Sequence, residues 1–177
     1  MGDPKKQRRK YQGPSHPWLA VRIESEKVLL QDYGLKNKKE IWKFESMLRR
    51  FKQQAKNLIF RKDKQAEIEK KNLLERLFNM GLLEKDAKME DVLDIELKDL
   101  FERRLQTQVF KLGLTRSVGQ ARQFIVHGHI MIGEEKVDVP SYFVRRGEER
   151  SIRFSQSSKL NNAEHPERVV VAKEIGR

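Results

Sequence analysis

Residues 97–154 run LKDLFERRLQTQVFKLGLTRSVGQARQFIVHGHIMIGEEKVDVPSYFVRRGEERSIRF, and no other part of the chain is so clearly punctuated. Leu97, Leu100, Leu105, Val109 and Leu112 fall on one helical stripe, and Gly113 follows as a stop. Ser117 and Gln120 have capping-box spacing, in which each side chain satisfies a free backbone N–H at the start of a helix. Val118, Ala121, Phe124 and Ile125 form a second stripe that Gly128 ends. Ile130 and Ile132 then alternate, Gly133-Glu134-Glu135 turns, and Val137 and Val139 alternate up to Pro140. Ile152 and Phe154 suggest a closing strand. The segment reads helix, turn, helix, strand, strand, loop, strand.

The polar residues left over are Arg103, Arg104, Gln106, Lys111, Arg116, Arg122, Gln123, His127 and His129, and helical geometry should gather several at one end of the helix pair. Arg116 precedes the second helix, where free N–H groups favour an anion and a guanidinium fork suits phosphate. The plainer reading is two packed helices with ordinary surface arginines.

Upstream lies an acidic stretch, Glu84–Asp99, whose Val92, Leu93 and Leu97 predict one or two short helices that pack within the protein rather than touch phosphate. A helix is expected from Asp63, as cap, to Met80, with Gly81 in the left-handed position after it. From Lys38 to Phe60, the residues Ile41, Phe44, Leu48, Phe51, Ala55, Leu58 and Ile59 recur at steps of three and four, apart from the final adjacent pair. Lys43, Arg49, Arg50, Lys52 and Lys56 fall mainly outside that stripe, giving one core face and one cationic face. Trp18, Trp42 and Phe44 are possible stacking surfaces, with Phe44 assigned to the core. The chain opens with Lys5, Lys6, Arg8, Arg9 and Lys10, then Gly13, Pro14 and Pro17, an arm with nothing to build a core from.

The 177 residues carry 38 Lys and Arg against 26 Asp and Glu, a formal net charge of +12. Residues 1–62 hold 17 basic and 6 acidic side chains, residues 63–100 hold 7 and 11, and residues 101–154 hold 10 and 6. Two basic blocks flanking an acidic one favour a polyanionic partner, nucleic acid before membrane. Cysteine is absent, which excludes a disulfide scaffold, cysteine-based zinc fingers and thiol catalysis. No apolar run approaches the roughly 20 residues of a membrane-spanning helix, and the basic N-terminus lacks the apolar stretch of a secretory signal. Walker, Gly-x-Ser-x-Gly and His-Glu-x-x-His motifs are missing. His127-Gly128-His129 supplies two imidazoles of four in the chain, too few for a metal site, and Gly128 is better explained as a helix stop.

The stretches 103–114, 121–130 and 137–142 resemble, in order, the opening, second helix and later strand of the S4 RNA-binding domain. The basic arm, His16-Pro17-Trp18 and residues 33–42 extend the likeness to the archaeal and eukaryotic branch of the small-subunit ribosomal protein S4 family. The resemblance implies an α+β protein: a mostly helical N-terminal lobe and a small domain of two packed helices with a short antiparallel sheet. It implies an arm over residues 1–35, the helical lobe over 36–100, the S4 domain over 101–155, and a tail, 156–177, packing back on the helical lobe. It also implies binding to small-subunit ribosomal RNA early in assembly, near the messenger RNA entry path. Its partners would be that RNA, neighbouring small-subunit proteins and messenger RNA at the entry channel. No cofactor, metal, membrane or small-molecule substrate is expected, and the setting is the cytoplasmic small ribosomal subunit.

Carried onto this chain, the RNA-binding set is Lys5, Lys6, Arg8, Arg9, Lys10, Arg49, Arg50, Arg103, Arg104, Gln106, Lys111, Arg116, Ser117, Arg122, Gln123, His127, His129 and Lys136. Gln106 stands where many bacterial relatives have Asp, and Val118 and Gly119 stand where they have basic residues. A short tail without a long basic extension points to the archaeal branch. The alternative function is a free-standing S4-domain RNA chaperone or regulator. An RNA-modifying enzyme would need a separate catalytic domain, for which the chain has no room.

Overall fold

The apolar spacing becomes packing around one long helix. The computed structural model describes residues 2, 9, 11–162 and 165–167. Among these, the helices are α1 (Ala20–Asp32), α2 (Lys38–Ile59), α3 (Lys64–Asn79), α4 (Asp91–Asp94), α5 (Leu97–Glu102), α6 (Leu105–Lys111) and α7 (Val118–Val126). Strands β1 (Ile130–Ile132), β2 (Glu135–Lys136) and β3 (Ile152–Phe154) form one antiparallel sheet in the order β2-β1-β3, with Met131 opposite both Lys136 and Arg153. The fold is α+β, as the sequence implied.

Three apolar clusters divide the interior. Phe51, Ala55 and Leu58 of α2 meet Leu73 and Leu77 of α3, with Val92 and Ile95 from the acidic stretch. Leu105, Val109, Phe124, Ile125, Ile130 and Phe154 fill the space between α6, α7 and the sheet. Between these two clusters, Leu35, Ile41, Phe44, Leu100 and Phe101 join the start of α2 to α5. Phe101 is the hub there, its ring centroid 5.0 Å from those of both Tyr33 and Phe44.

The stripe from Leu97 to Leu112 is not one helix. It breaks at Arg103-Arg104, where Arg104 is extended (φ −70°, ψ 141°). The break lets this segment pair with residues 142–144: Leu105 N–H donates to the Tyr142 carbonyl (2.8 Å) and Val144 N–H to that of Arg103 (2.9 Å). Two carbonyls at the end of α5 are satisfied by side chains from α6, Thr107 Oγ1 on Phe101 (2.8 Å) and Gln108 Nε2 on Glu102 (2.9 Å).

Other expectations shift by local chemistry. Asn37 Oδ1 caps α2 by accepting from Lys39 N–H, whereas Asp63 stands at the α3 N-cap without a side-chain cap bond. Ser117 Oγ accepts from Gln120 N–H (3.1 Å), but Gln120 Oε1 returns to Arg116 N–H (2.8 Å) rather than to that of Ser117. The second strand is two residues long; Val137 N–H still donates to the Ile130 carbonyl at 3.3 Å, but Val139 lies beyond the strand.

The largest departure is α1, in a stretch expected to be an extended arm. Its one buried residue is Glu26, which bonds Arg22, Lys38 Nζ (3.2 Å) and Trp42 Nε1 (3.0 Å). The helix is anchored by this buried carboxylate together with the half-buried Leu29 and Leu30, which pack against the cluster around Phe101. The carboxylate is the more firmly ionised for it: burial works to raise its pKa, but the Trp42, Arg22 and Lys38 hydrogen bonds bring it below the ordinary value.

Gly34 closes α1 in the left-handed conformation, and a Cβ there would lie 3.0 Å from Gln106 Nε2 and 3.1 Å from Val118 Cγ1. Gly34→Ala is therefore expected to cost about 1–2 kcal/mol from backbone conformation alone, with the crowding adding to it. A urea midpoint unchanged from the parent would refute this.

Candidate nucleic-acid interface

The site begins with what the fold does to the expected cations. Arg104 is 1% exposed and forms an ion pair with Glu40 Oε2 at 2.7 Å. Its guanidinium carbon lies 5.3 Å from the Phe44 ring centroid. Burial, its largest influence, draws the Arg104 pKa below the usual value, and Glu40 opposes this. Gln106 is fully buried and donates from Nε2 to the carbonyls of Gly34 and Val118, both at 3.0 Å. Both side chains are enclosed within the fold, not on the exposed surface where the sequence reading set them as RNA contacts. They tie α6 to α2 and to the end of α1. No local spacing marks them, since Glu40 is 64 residues from Arg104 and Gly34 is 72 from Gln106.

Arg103 and Arg122 are intermediate cases. Arg103 pairs with Glu149 and packs over Gly81, and its side chain is 21% exposed. Arg122 shares Glu40 with Arg104 at 3.3 Å but remains 28% exposed. One carboxylate thus serves two guanidiniums, and the excess positive charge lies at the more accessible one.

The exposed cations fall into separate groups. On α2, Arg49 and Arg50 line a cavity of about 370 Å³ together with Arg9, Tyr11 and Gln12. The arm is seated there by Gln12, whose N–H donates to Ser46 Oγ at 3.0 Å and whose Oε1 accepts from Arg49. Arg9 lies 5.2 Å from the Tyr11 ring centroid, and that ring is 6.3 Å from the ring of Trp42. Lys5, Lys6, Arg8 and Lys10 lie outside the described residues. Phe44 is core, as assigned, while Trp18 is 89% exposed.

In the smaller domain the cations do not collect at one end of the helix pair. Lys111, Arg116 and Ser117 flank the α6–α7 turn, with Lys111 Nζ 3.2 Å from Glu102 and Arg116 bonded to the Pro166 carbonyl. His127, His129 and Lys136 lie at the exit of α7, and Gln123 is exposed between the two groups. His129 Nδ1 is 2.9 Å from Ser158 Oγ. Burial, and then the neighbouring His127 and Lys136, push the His129 pKa below the ordinary histidine value. In the described part of the tail, Leu160 and Ser158 pack on this same domain, while residues 163–164 and 168–177 are outside the described set.

Comparison with known proteins follows the same division of the chain. The family model for the Ribosomal protein S4/S9 N-terminal domain matches residues 2–102, and that for the S4 domain matches residues 103–149. The chain belongs to the ribosomal protein S4 family. "Small ribosomal subunit protein uS4" of Sulfurisphaera tokodaii is 46% identical over 167 residues, 94% of this chain and 93% of the relative. The protein of the same name from Methanothermobacter thermautotrophicus is 48% identical over 160 residues, covering 90% and 94%. That of Nanoarchaeum equitans is 47% identical over 171 residues, covering 96% and 95%.

Within this S4-family fold, three arginines outside the expected set, Arg76, Arg145 and Arg146, line a further groove. The Arg145-Arg146 doublet was visible in the sequence only as part of a segment's charge. Among the described residues no helix is long and apolar enough to cross a membrane, and no three His, Cys, Asp or Glu side chains cluster as metal ligands.

Proposed function

We infer that this protein is a structural constituent of the small ribosomal subunit and binds small-subunit ribosomal RNA alongside neighbouring subunit proteins. The observation that carries this reading is the near full-length match to archaeal small-subunit proteins. Exposed arginines on both α2 and the α6–α7 turn support it. The protein acts by binding rather than catalysis. It joins the RNA early in assembly and lies near the messenger RNA entry path. Residues 36–100 and 101–155 serve as its two lobes.

The RNA contacts are assigned to the accessible groups: Arg9, Arg49 and Arg50 on the arm and α2, then Lys111, Arg116, Ser117, Arg122, Gln123, His127 and Lys136 on the smaller domain. Lys5, Lys6, Arg8 and Lys10 extend the first group along phosphates. Selectivity comes from RNA shape, because A-form helices hide their major-groove edges and display 2′-hydroxyls. Affinity for a folded junction should therefore exceed that for plain duplex.

Co-sedimentation tests the reading. One copy per small subunit, retained through a moderate salt wash, is expected; sub-stoichiometric, salt-labile association would favour a free-standing RNA chaperone. A separate result concerns the arm. Removing residues 1–10 should weaken RNA binding while leaving Tm nearly unchanged, because the docking contacts of Tyr11 and Gln12 remain. A drop of several degrees would show that these residues serve the fold.

A further inference from the structure

Two depressions on the surface share Asn72 and Arg76 of α3. One, about 370 Å³, lies between α2 and α3 and is lined by Asn57 and Arg61. The other, about 790 Å³, lies between α3 and the 142–146 loop, with Tyr142, Phe143, Arg145 and Arg146 on its wall. We propose that together they form a groove that binds a single-stranded segment of RNA. This rests on the RNA-binding reading above and adds a site to it.

Charge is the first support. Arg61, Arg76, Arg145 and Arg146 line the groove against Glu69 and Glu75, so it is net cationic. Two of these guanidiniums are already oriented. Arg146 Nη2 donates to the Leu83 carbonyl at 3.0 Å, with its guanidinium carbon 4.4 Å from the Phe78 centroid. The Arg76 guanidinium carbon lies 5.6 Å from the Phe51 centroid. An arginine held this way loses less side-chain freedom when it takes up a phosphate.

The walls are also fixed relative to each other. Arg146 N–H donates to the Asn79 carbonyl at 2.9 Å, and Arg145 N–H donates to Glu148 Oε2 at 2.9 Å. The groove is a preformed feature of the junction between α3 and the smaller domain. Tyr142 and Phe143 are half-buried there, and the Tyr142 hydroxyl is occupied by Glu148 at 3.2 Å. Tyr142 packs on the smaller domain's core and Phe143 on the cluster around Phe101, so what they offer a ligand is the part of each ring left uncovered.

This combination selects the form of RNA. A duplex presents its shallow minor groove and backbone, and has no exposed base face for an aromatic ring. Unpaired nucleotides need cations along the backbone, rings for their bases and adaptable amides for base edges. The exposed amides of Asn72 and Asn79 supply the last of these. An acidic protein segment would use the arginines but would leave the rings and amides without a role.

The full-length Arg76→Ala/Arg145→Ala variant tests the groove, with small-subunit ribosomal RNA transcript as the probe. The log affinity against log salt slope should become shallower by about 1.4, since each single-strand phosphate left without its arginine removes about 0.7. Transcript carrying 4-thiouridine should crosslink to peptides containing residues 72–79 or 142–146 of the parent protein. An unchanged slope and no crosslink in those peptides, with Arg49→Ala still flattening the slope, would overturn the groove and leave RNA binding standing. A parent protein that ignores the transcript would overturn both.

Discussion

Glu40→Ala should lower the free energy of unfolding by about 3–5 kcal/mol, the typical cost of removing one partner of a buried ion pair. In a chain of this size that corresponds to a Tm lower by roughly 6–20 °C. Arg104 is the reason. It is 1% exposed, and Glu40 is its ion-pair partner. Its Nε and Nη1 already have no hydrogen-bond partner and rely on the face of Phe44. Without Glu40 the whole guanidinium charge would sit unpaired between α2 and α6. Arg104→Met should cost much less, because an apolar side chain suits the cavity and Glu40 keeps Arg122 at 3.3 Å. Urea unfolding of the two variants provides the comparison. Equal losses, or a Glu40→Ala loss below about 1 kcal/mol, the scale of an exposed pair, would show that water reaches Arg104.

The same carboxylate sets an acid limit. Burial alone would raise the Glu40 pKa, but the Arg104 hydrogen bond, the charges of Arg104 and Arg122 and the Lys36 backbone bring it below its usual 4.5. A depressed folded-state pKa contributes stability that is present above the unfolded value and lost as pH falls through the folded one. Stability should hold from neutral pH to about 5 and fall steeply below it. The Glu40→Ala variant should show a shallower fall over that range.

How much of this was legible depended on the range of the interactions. The α2 stripe was readable almost to its boundaries, since Ile41, Phe44, Phe51, Ala55 and Leu58 are all buried on one face. Gly81, Gly113 and Gly128 end their helices as expected, all three with positive φ, which the sequence predicts for Gly81. Elements held by distant polar partners were not readable. The only buried residue of α1 is Glu26, which meets Lys38 and Trp42 across a turn. The break at Arg103-Arg104 depends on backbone pairing with a loop some forty residues on. Arg104 and Gln106 looked like surface groups by residue type, and only the positions of Glu40 and Gly34 show that they belong inside. Composition located the charge correctly but could not say which arginines already had a carboxylate.

Exposure at the surface decides where the largest effect on RNA binding is expected. Arg49, Arg50 and Arg116 are all exposed, on α2 and on the α6–α7 turn. Replacing the three by alanine should make the log affinity against log salt slope shallower by about 2–2.7, since each phosphate left without its arginine removes about 0.7–0.9. Near 0.15 M salt this amounts to roughly a hundredfold loss of affinity, and the difference should vanish on extrapolation to 1 M, where counter-ion release no longer contributes. Tm should barely move, because exposed pairs such as Arg49–Glu45 at 3.5 Å contribute about 0–1 kcal/mol. Arg104→Met should show the opposite pattern, with its slope unchanged, since a buried cation displaces no counter-ion from RNA. Filter binding of both variants across a salt series, alongside their unfolding curves, separates the two roles. A slope flattened by Arg104→Met but not by the triple substitution would mean that the junction around Glu40 opens to admit phosphate.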